Sequence, residues 1–331
     1  MRTLSLVTAL AALLVGTAAM AQAPGRPQWS IAIHGGAGTL ERTDMTPAQD
    51  AAYRRSLQAA MDAGKAVLAG GGSALDAVTA VIVKLEEDER FNAGKGAVFT
   101  WDGTHELDAS IMDGRNRAAG AVAGVTTVRN PILLARKVME DSPHVMLAGA
   151  GAEQFAAEKG LERVANSWFD TPQRREALER MKRDKLSALD VDIKFGTVGA
   201  VALDASGNLA AGTSTGGMTG KRWSRIGDAP IIGAGTYAEN GVCAVSATGW
   251  GEYFIRVGVA RTICARMSMK GEGAQAAADV SIAEVAKLGG DGGVIVVSGT
   301  GEAVFSMNTG GMYRGRATSA GVDEVAIYKD E

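Results

Sequence analysis

The sequence predicts an α/β (α+β) fold in four layers, helix, sheet, sheet, helix. Three observations predict it. Strand-like apolar runs fall into two groups, helical patterns lie on either side of them, and glycine is abundant, at 44 of 331 residues, much of it clustered beside Val/Ile/Ala runs. Such clusters mark tight turns and close backbone approach around buried strands, and strands that bury both faces need helical layers outside them. Aromatic residues make up only 5%, so aliphatic and alanine packing must build the core.

The elements follow in order. Arg2, the apolar stretch Leu4 to Val15 and the small-residue sites Ala19-Met20-Ala21 and Ala21-Gln22-Ala23 form an export signal, with cleavage expected after Ala21. The stretch is short for a membrane span. Residues 1–21 are therefore expected to leave an exported mature protein, periplasmic or secreted. Trp29 to His34 is a buried strand running into Gly35-Gly36-Ala37-Gly38. Thr46 caps a helix that continues to about Ala69, with Pro47 at its first position. Ser73 to Glu87 is a second helix, its Ala74, Ala77, Val78, Val81, Ile82 and Leu85 on one stripe. Then comes the glycine-rich turn Phe91 to Gly96, with short strands expected at Ala97–Thr100, Leu107–Met112 and Gly120–Val125. Helices are expected at Pro131–Met139 and from Glu153 to Glu158.

Thr171 to Lys194 is charged and reads as polar all round, an exposed connection made of solvated helix or loop. Directly after it the chain turns apolar. Thr197 to Leu203 is a buried strand, and Asn208 to Thr215 its hairpin partner. Val242–Ala247 and Gly293–Val297 are further strands; Glu252–Met267 and Ala274–Lys287 are helices.

Net charge is −3, with no basic stripe for nucleic acid. Cys243 and Cys264 are the only cysteines. In an oxidising compartment they could pair; as two buried thiols they fit equally well. Together with His34, His105 and His144 they do not supply the spacing of a metal site.

The chemistry concentrates around Gly196-Thr197. A threonine opening a strand usually serves only the pleat. Here a long polar segment stops abruptly, glycine precedes the threonine, and a stiff apolar strand follows. Those are the needs of an N-to-O acyl shift. Cleavage would give Thr197 its own α-amine, with a pKa of about 7.7–8.0, and threonine–amine pairs are a known way to activate a nucleophile. Gly212-Thr213-Ser214-Thr215-Gly216-Gly217 and Thr248-Gly249-Trp250-Gly251 place hydroxyls and glycine N–H groups at strand ends, where they form either turns or an oxyanion hole. Arg225 and Asp228 form either a surface ion pair or a clamp for a free amino acid end.

The runs GTVGAVALDASGNLAAGTSTGGMT, RIGDAPIIGAGTYA and ATGWGE, with IAIHGGAG, FNAGKGAVFT, HELDASIMDG, AGAVAGV, RNP, SPHV and NTGGMYRG, resemble the plant-type asparaginases, or isoaspartyl aminopeptidases, of the N-terminal nucleophile (Ntn) hydrolases. The matching segments run from Ile31 to Arg316. The resemblance implies a four-layer αββα sandwich, cut between Gly196 and Thr197 into an alpha subunit (22–196, with 171–195 a variable linker) and a beta subunit (197–331). It implies a dimer of such pairs. By motif, Thr197 would be the nucleophile, Thr215 its tuning partner, Thr248 and Gly249 the oxyanion hole, and Arg225, Asp228 and Gly251 the substrate clamp. Asn92 would assist maturation at Gly196. A stabilising sodium loop of backbone carbonyls would map to Leu85, Glu86, Asp88, Phe91, Ala93 and Lys95, with no cofactor for catalysis. The implied substrates are β-aspartyl dipeptides and asparagine. Trp250 departs from the small or polar residue usual beside the oxyanion hole, which would narrow the leaving-group side. Competing readings are a glycosylasparaginase, an exported amino-acid-binding protein without chemistry, and a precursor that needs a partner to mature.

Overall fold

The computed structural model describes residues 28–38, 40–184 and 196–331. The expected export signal and residues 185–195 of the linker lie outside them. Twelve strands and eight α-helices are found among the described residues. In chain order they are β1 (Ser30–Gly38), α1 (Pro47–Ala69), α2 (Ala74–Glu86), β2 (Leu107–Asp113), β3 (Ala119–Val125), α3 (Pro131–Asp141), β4 (Met146–Ala148), α4 (Gly149–Glu158), α5 (Pro172–Arg183), β5 (Val198–Leu203), β6 (Leu209–Thr215), β7 (Thr236–Glu239), β8 (Cys243–Gly249), α6 (Gly251–Val257), α7 (Val259–Lys270), α8 (Ala274–Lys287), β9 (Gly292–Ser298), β10 (Ala303–Met307), β11 (Gly311–Thr318) and β12 (Asp323–Tyr328).

One sheet has eight strands in the order β12-β11-β1-β5-β6-β2-β3-β4; the other has four, β10-β9-β8-β7. Strand period decides which layer each side chain enters. In β5, Val198, Ala200 and Ala202 join the core under α1, α2 and α3, while Val201 and Leu203 join the core shared with the second sheet, α7 and α8. The result is the expected order of helix, sheet, sheet, helix.

The local signals for α1 and α2 hold in detail. Thr46 and Gln49 form a reciprocal capping box at α1 with Pro47 behind it, and the Ser73 side chain accepts from Asp76 N at α2. Three expectations change. Ala97–Thr100 is not a strand: Ala97 N bonds to Gly94 O, Val98 N to Asn92 Oδ1 and Thr100 N to Thr104 O within the local loop, and its long-range backbone contacts are limited to Phe99 O with Gly220 N and the single bridge of Thr100 to Lys221. The helix expected over Glu252–Met267 is two helices, broken at Gly258 with φ 63°, because the first N–H groups of α7 are drawn to the carbonyls of Ala234 and Gly233. The segment after Thr171 is not polar all round. Arg174, Leu178 and Met181 of α5 are buried. Arg174 Nε donates to Gly96 O at 2.8 Å, and burial lowers its guanidinium to about 10. An arginine in a charged run reads as solvated until the fold brings carbonyls to it.

Cys243 and Cys264, left open by the sequence, form a disulfide that ties β8 to α7. No helix among the described residues is long and apolar enough to cross a membrane.

Candidate active site

Thr197 lies one residue before β5, buried at 7% exposure. Its Oγ1 donates to Thr215 Oγ1 at 3.1 Å, and Thr215 Oγ1 also accepts from Gly217 N at 3.0 Å. The Gly216-Gly217 turn is braced by Asn92, whose Nδ2 donates to Gly217 O at 2.7 Å and whose backbone O accepts from Gly216 N at 3.1 Å. Asn92 therefore reaches the neighbourhood of Thr197 through the turn that holds Thr215.

Gly196 is pressed against three groups. A Cβ added to it would lie 2.6 Å from Thr248 Oγ1, 2.9 Å from Gly36 Cα and 3.1 Å from Ala37 N. Conversely, a Cβ on Gly36, whose φ is 115°, would lie 2.6 Å from Gly196 N. Only glycines at both positions allow this backbone-to-backbone contact. Thr248, fully buried in β8, also accepts from Ala37 N at 3.3 Å. Gly249 follows with φ 147°, packed so that a Cβ would meet Asp291 O and Gly292 Cα.

Arg225, Asp228 and Gly251 come together. A Cβ on Gly251 would lie 2.9 Å from Asp228 Oδ1 and 3.0 Å from Arg225 Nη2. Asp228 is buried and its Oδ2 has no hydrogen-bond partner. Burial pushes its carboxyl up to about 7, against the pull of the Arg225 guanidinium. An ammonium placed there would satisfy the unpaired oxygen and restore the charge. Arg225 is held by a partner that sequence reading missed: Nε and Nη2 donate to the two carboxylate oxygens of Glu252 at 2.8 and 2.7 Å. The signal was present in ATGWGE, where Glu252 follows Gly251 at the start of α6. The two residues before Arg225, Trp223 and Ser224, have φ values of 54° and 49°, backbone strain of the kind stored at functional sites.

His34 was also missed as a site residue. It is fully buried, and its Nδ1 lies 2.9 Å from Thr197 O. Strand parity puts it on the face of Ala32, toward the second sheet. His105, buried between Val98 O and Asp170, and the exposed His144 lie in other surroundings. Trp250 sits half-buried with its ring edge-on to Tyr253 at 5.0 Å.

The segment mapped to a sodium loop curls on itself. Leu85 O accepts from Asp88 N, Asp88 O from Phe91 N, Phe91 O from Ala93 N and Ala93 O from Gly96 N. Gly94 is packed against Glu86 O and Gly96 against Phe91 O, so the two ends of the segment meet. Burial raises the Glu86 carboxyl to about 8, which keeps it neutral at pH 7. The Leu85, Asp88, Phe91 and Ala93 carbonyls each accept one hydrogen bond within the loop and keep a second lone pair. No group of three or more His, Cys, Asp or Glu side chains among the described residues could hold a metal.

Two sheets between helical layers, with a hydroxyl nucleophile candidate at the mouth of a central strand, define the Ntn-hydrolase sandwich. The asparaginase family profile (Asparaginase_2) matches residues 27–327, and the chain belongs to that family of hydrolases. It is 48% identical over 309 residues to an isoaspartyl peptidase of Escherichia coli (strain K12), covering 91% of this chain and 96% of the relative. It is 42% identical over 326 residues to a probable isoaspartyl peptidase/L-asparaginase 2 of Arabidopsis thaliana, covering 91% and 99%. It is also 42% identical over 275 residues to an isoaspartyl peptidase/L-asparaginase of Homo sapiens, covering 82% and 87%.

Proposed function

We propose that this chain cuts itself between Gly196 and Thr197 and then hydrolyses β-aspartyl dipeptides and the side-chain amide of asparagine. One observation carries the reading. The Gly196 backbone is trapped between the Gly36-Ala37 turn and the Thr248 hydroxyl, while Thr197 Oγ1 on the next residue is held by Thr215. The names of the relatives support the substrate class.

In maturation, Thr197 Oγ attacks the Gly196 carbonyl carbon, the C–N bond breaks and the hydroxyl proton passes to the departing Thr197 nitrogen, giving an ester and a free amine. Water hydrolyses the ester to a Gly196 carboxylate and the Thr197 hydroxyl. The products are subunits 22–196 and 197–331, assembled as a dimer of pairs. In turnover, the amine takes the Oγ proton as Oγ attacks the substrate's β-carbonyl. Thr248 Oγ and Gly249 N–H stabilise the oxyanion. Arg225 binds the α-carboxylate, Asp228 the α-ammonium, and Gly251 leaves room for both. The proton passes to the leaving ammonia or amino acid, and water then cleaves the β-aspartyl ester. A sodium ion on the 85–95 carbonyl ring is a structural addition, outside this chemistry. Export fits the Cys243–Cys264 bond, since disulfides persist in oxidising compartments.

Intact-mass measurement on the purified protein tests the reading. We expect two chains, one beginning at Gln22 and one beginning Thr197-Val198-Gly199, and a single uncut chain from Thr197→Ala. An uncut wild-type protein with full activity would overturn it.

A further inference from the structure

Two rows of polar side chains face each other between the sheets. Across the larger sheet, His34 of β1, Gly199 of β5, Thr213 of β6 and Ser110 of β2 are successive register partners. Across the smaller one, Ser246 of β8 stands opposite Thr236 of β7. His34, Ser110, Thr213, Thr236 and Ser246 are all fully buried. Gly199 supplies the gap: a Cβ there would strike both Ser246 Oγ and His34 Nε2.

The contacts form a continuous file. His34 Nδ1 lies 2.9 Å from Thr197 O, and Nε2 lies 2.8 Å from Ser246 Oγ. Ser246 Oγ is 2.7 Å from Thr213 Oγ1, which is 2.5 Å from Thr236 Oγ1. Ser110 Oγ is 2.8 Å from Thr236 Oγ1 and 2.6 Å from Ala229 O, the residue after Asp228.

Counting protons gives the file one direction. A carbonyl only accepts, so Nδ1 must carry the imidazole hydrogen. Burial drives the His34 pKa down to about 3, so the ring is neutral and Nε2 is bare. Ser246 must then donate to it. Each hydroxyl has one proton, so Thr213 donates to Ser246, Thr236 to Thr213, and Ser110 shares its proton between Thr236 and Ala229 O. Thr213 has no second proton for Gly235 O, and that contact is correspondingly long at 3.2 Å.

Thr197 needs such a hold. It sits beyond the last register pair of β1 with β5, His34 with Gly199. Once cut, it would be a chain terminus, and termini fray unless tied down. We propose that His34, held as its Nδ1–H tautomer by the Thr197 carbonyl and anchored at Nε2 by the Ser246–Thr213–Thr236–Ser110 file, is a positioning residue that fixes the Thr197 carbonyl and couples the nucleophile to the segment bearing Asp228. This rests on Thr197 being the nucleophile.

The test is long-range proton–nitrogen NMR on the wild-type enzyme with labelled histidine, together with kinetics of Ser246→Ala. We expect His34 to show a protonated Nδ1 and a bare Nε2 throughout pH 5–8. In Ser246→Ala we expect Nδ1 to stay protonated, because the Thr197 carbonyl still faces it, and a kcat on β-aspartyl dipeptide about tenfold lower, the effect of one buried hydrogen bond, with KM unchanged. An Nε2–H tautomer in the wild type, titration of His34 near 6.5, or wild-type kcat in a cleaved Ser246→Ala would overturn the proposal. If Ser246→Ala does not fold, the wild-type tautomer decides alone. Wild-type protein that is active while uncut would instead overturn the reading of Thr197 itself.

Discussion

Thr248 is buried with its hydroxyl against Gly196, so its loss should remove stabilisation from the transition state and little from substrate binding. For Thr248→Ala we expect kcat to fall about 10²–10³-fold, as for loss of one oxyanion donor, with KM nearly constant and the circular dichroism spectrum unchanged. A loss expressed mainly in KM would place Thr248 in binding instead. Asp228 gives a pH dependence. Its carboxyl is raised to about 7, so the charged form that attracts an ammonium is lost as pH falls through 7. KM should therefore rise from pH 8 to pH 5, and in Asp228→Asn it should be high and flat across that range. A flat wild-type profile would separate Asp228 from ammonium recognition. Arg225 differs in kind: its guanidinium is oriented by Glu252 before any substrate arrives, which reduces the ordering cost of binding.

At the scale of elements, the disulfide and the glycines act on packing. Cys243 and Cys264, 21 residues apart, fasten α7 to β8. Closing a loop of that length stabilises by about 3 kcal/mol in the chain-entropy account. Replacing both cysteines by alanine should lower unfolding stability in urea by about that amount and leave kcat unchanged, because neither sulfur lies among the site residues. Equal stability of the two forms would mean that the β8–α7 packing alone holds the helix. Gly196, Gly36 and Gly199 each admit a contact that a Cβ would exclude. The motif glycines thus mark where strands and turns approach a neighbour, an interpretation that HGGAG and GTVG already invited.

For the whole molecule, the topology determines what cleavage can do. β1, before the proposed cut, lies between β11 and β5, which follow it, and β2 pairs with β6 across the same divide. Separating the two chains would break three strand interfaces within one sheet and expose both cores. Native mass spectrometry of cut protein should therefore show the pair intact, with free subunits appearing only in denaturant. Free subunits in native buffer would contradict this sheet order.

The sequence by itself determined the layer order, the caps of α1 and α2, the hairpin after Thr197 and the positions around which the site gathers, because period, capping chemistry and glycine spacing are local and act on neighbours along the chain. It also suggested that Thr197, Arg225 and Asp228 belong together, through a resemblance spread over several motifs. Only the tertiary structure decided that Cys243 and Cys264 pair, that Gly258 divides one apolar run into two helices, that Arg174 of α5 is buried against the Gly96 carbonyl, and that His34 and Glu252 stand behind Thr197 and Arg225. Each of these depends on partners far away in sequence. A side chain's charge state and hydrogen-bond partner are set by what the fold places around it, and no periodicity along the chain carries that information.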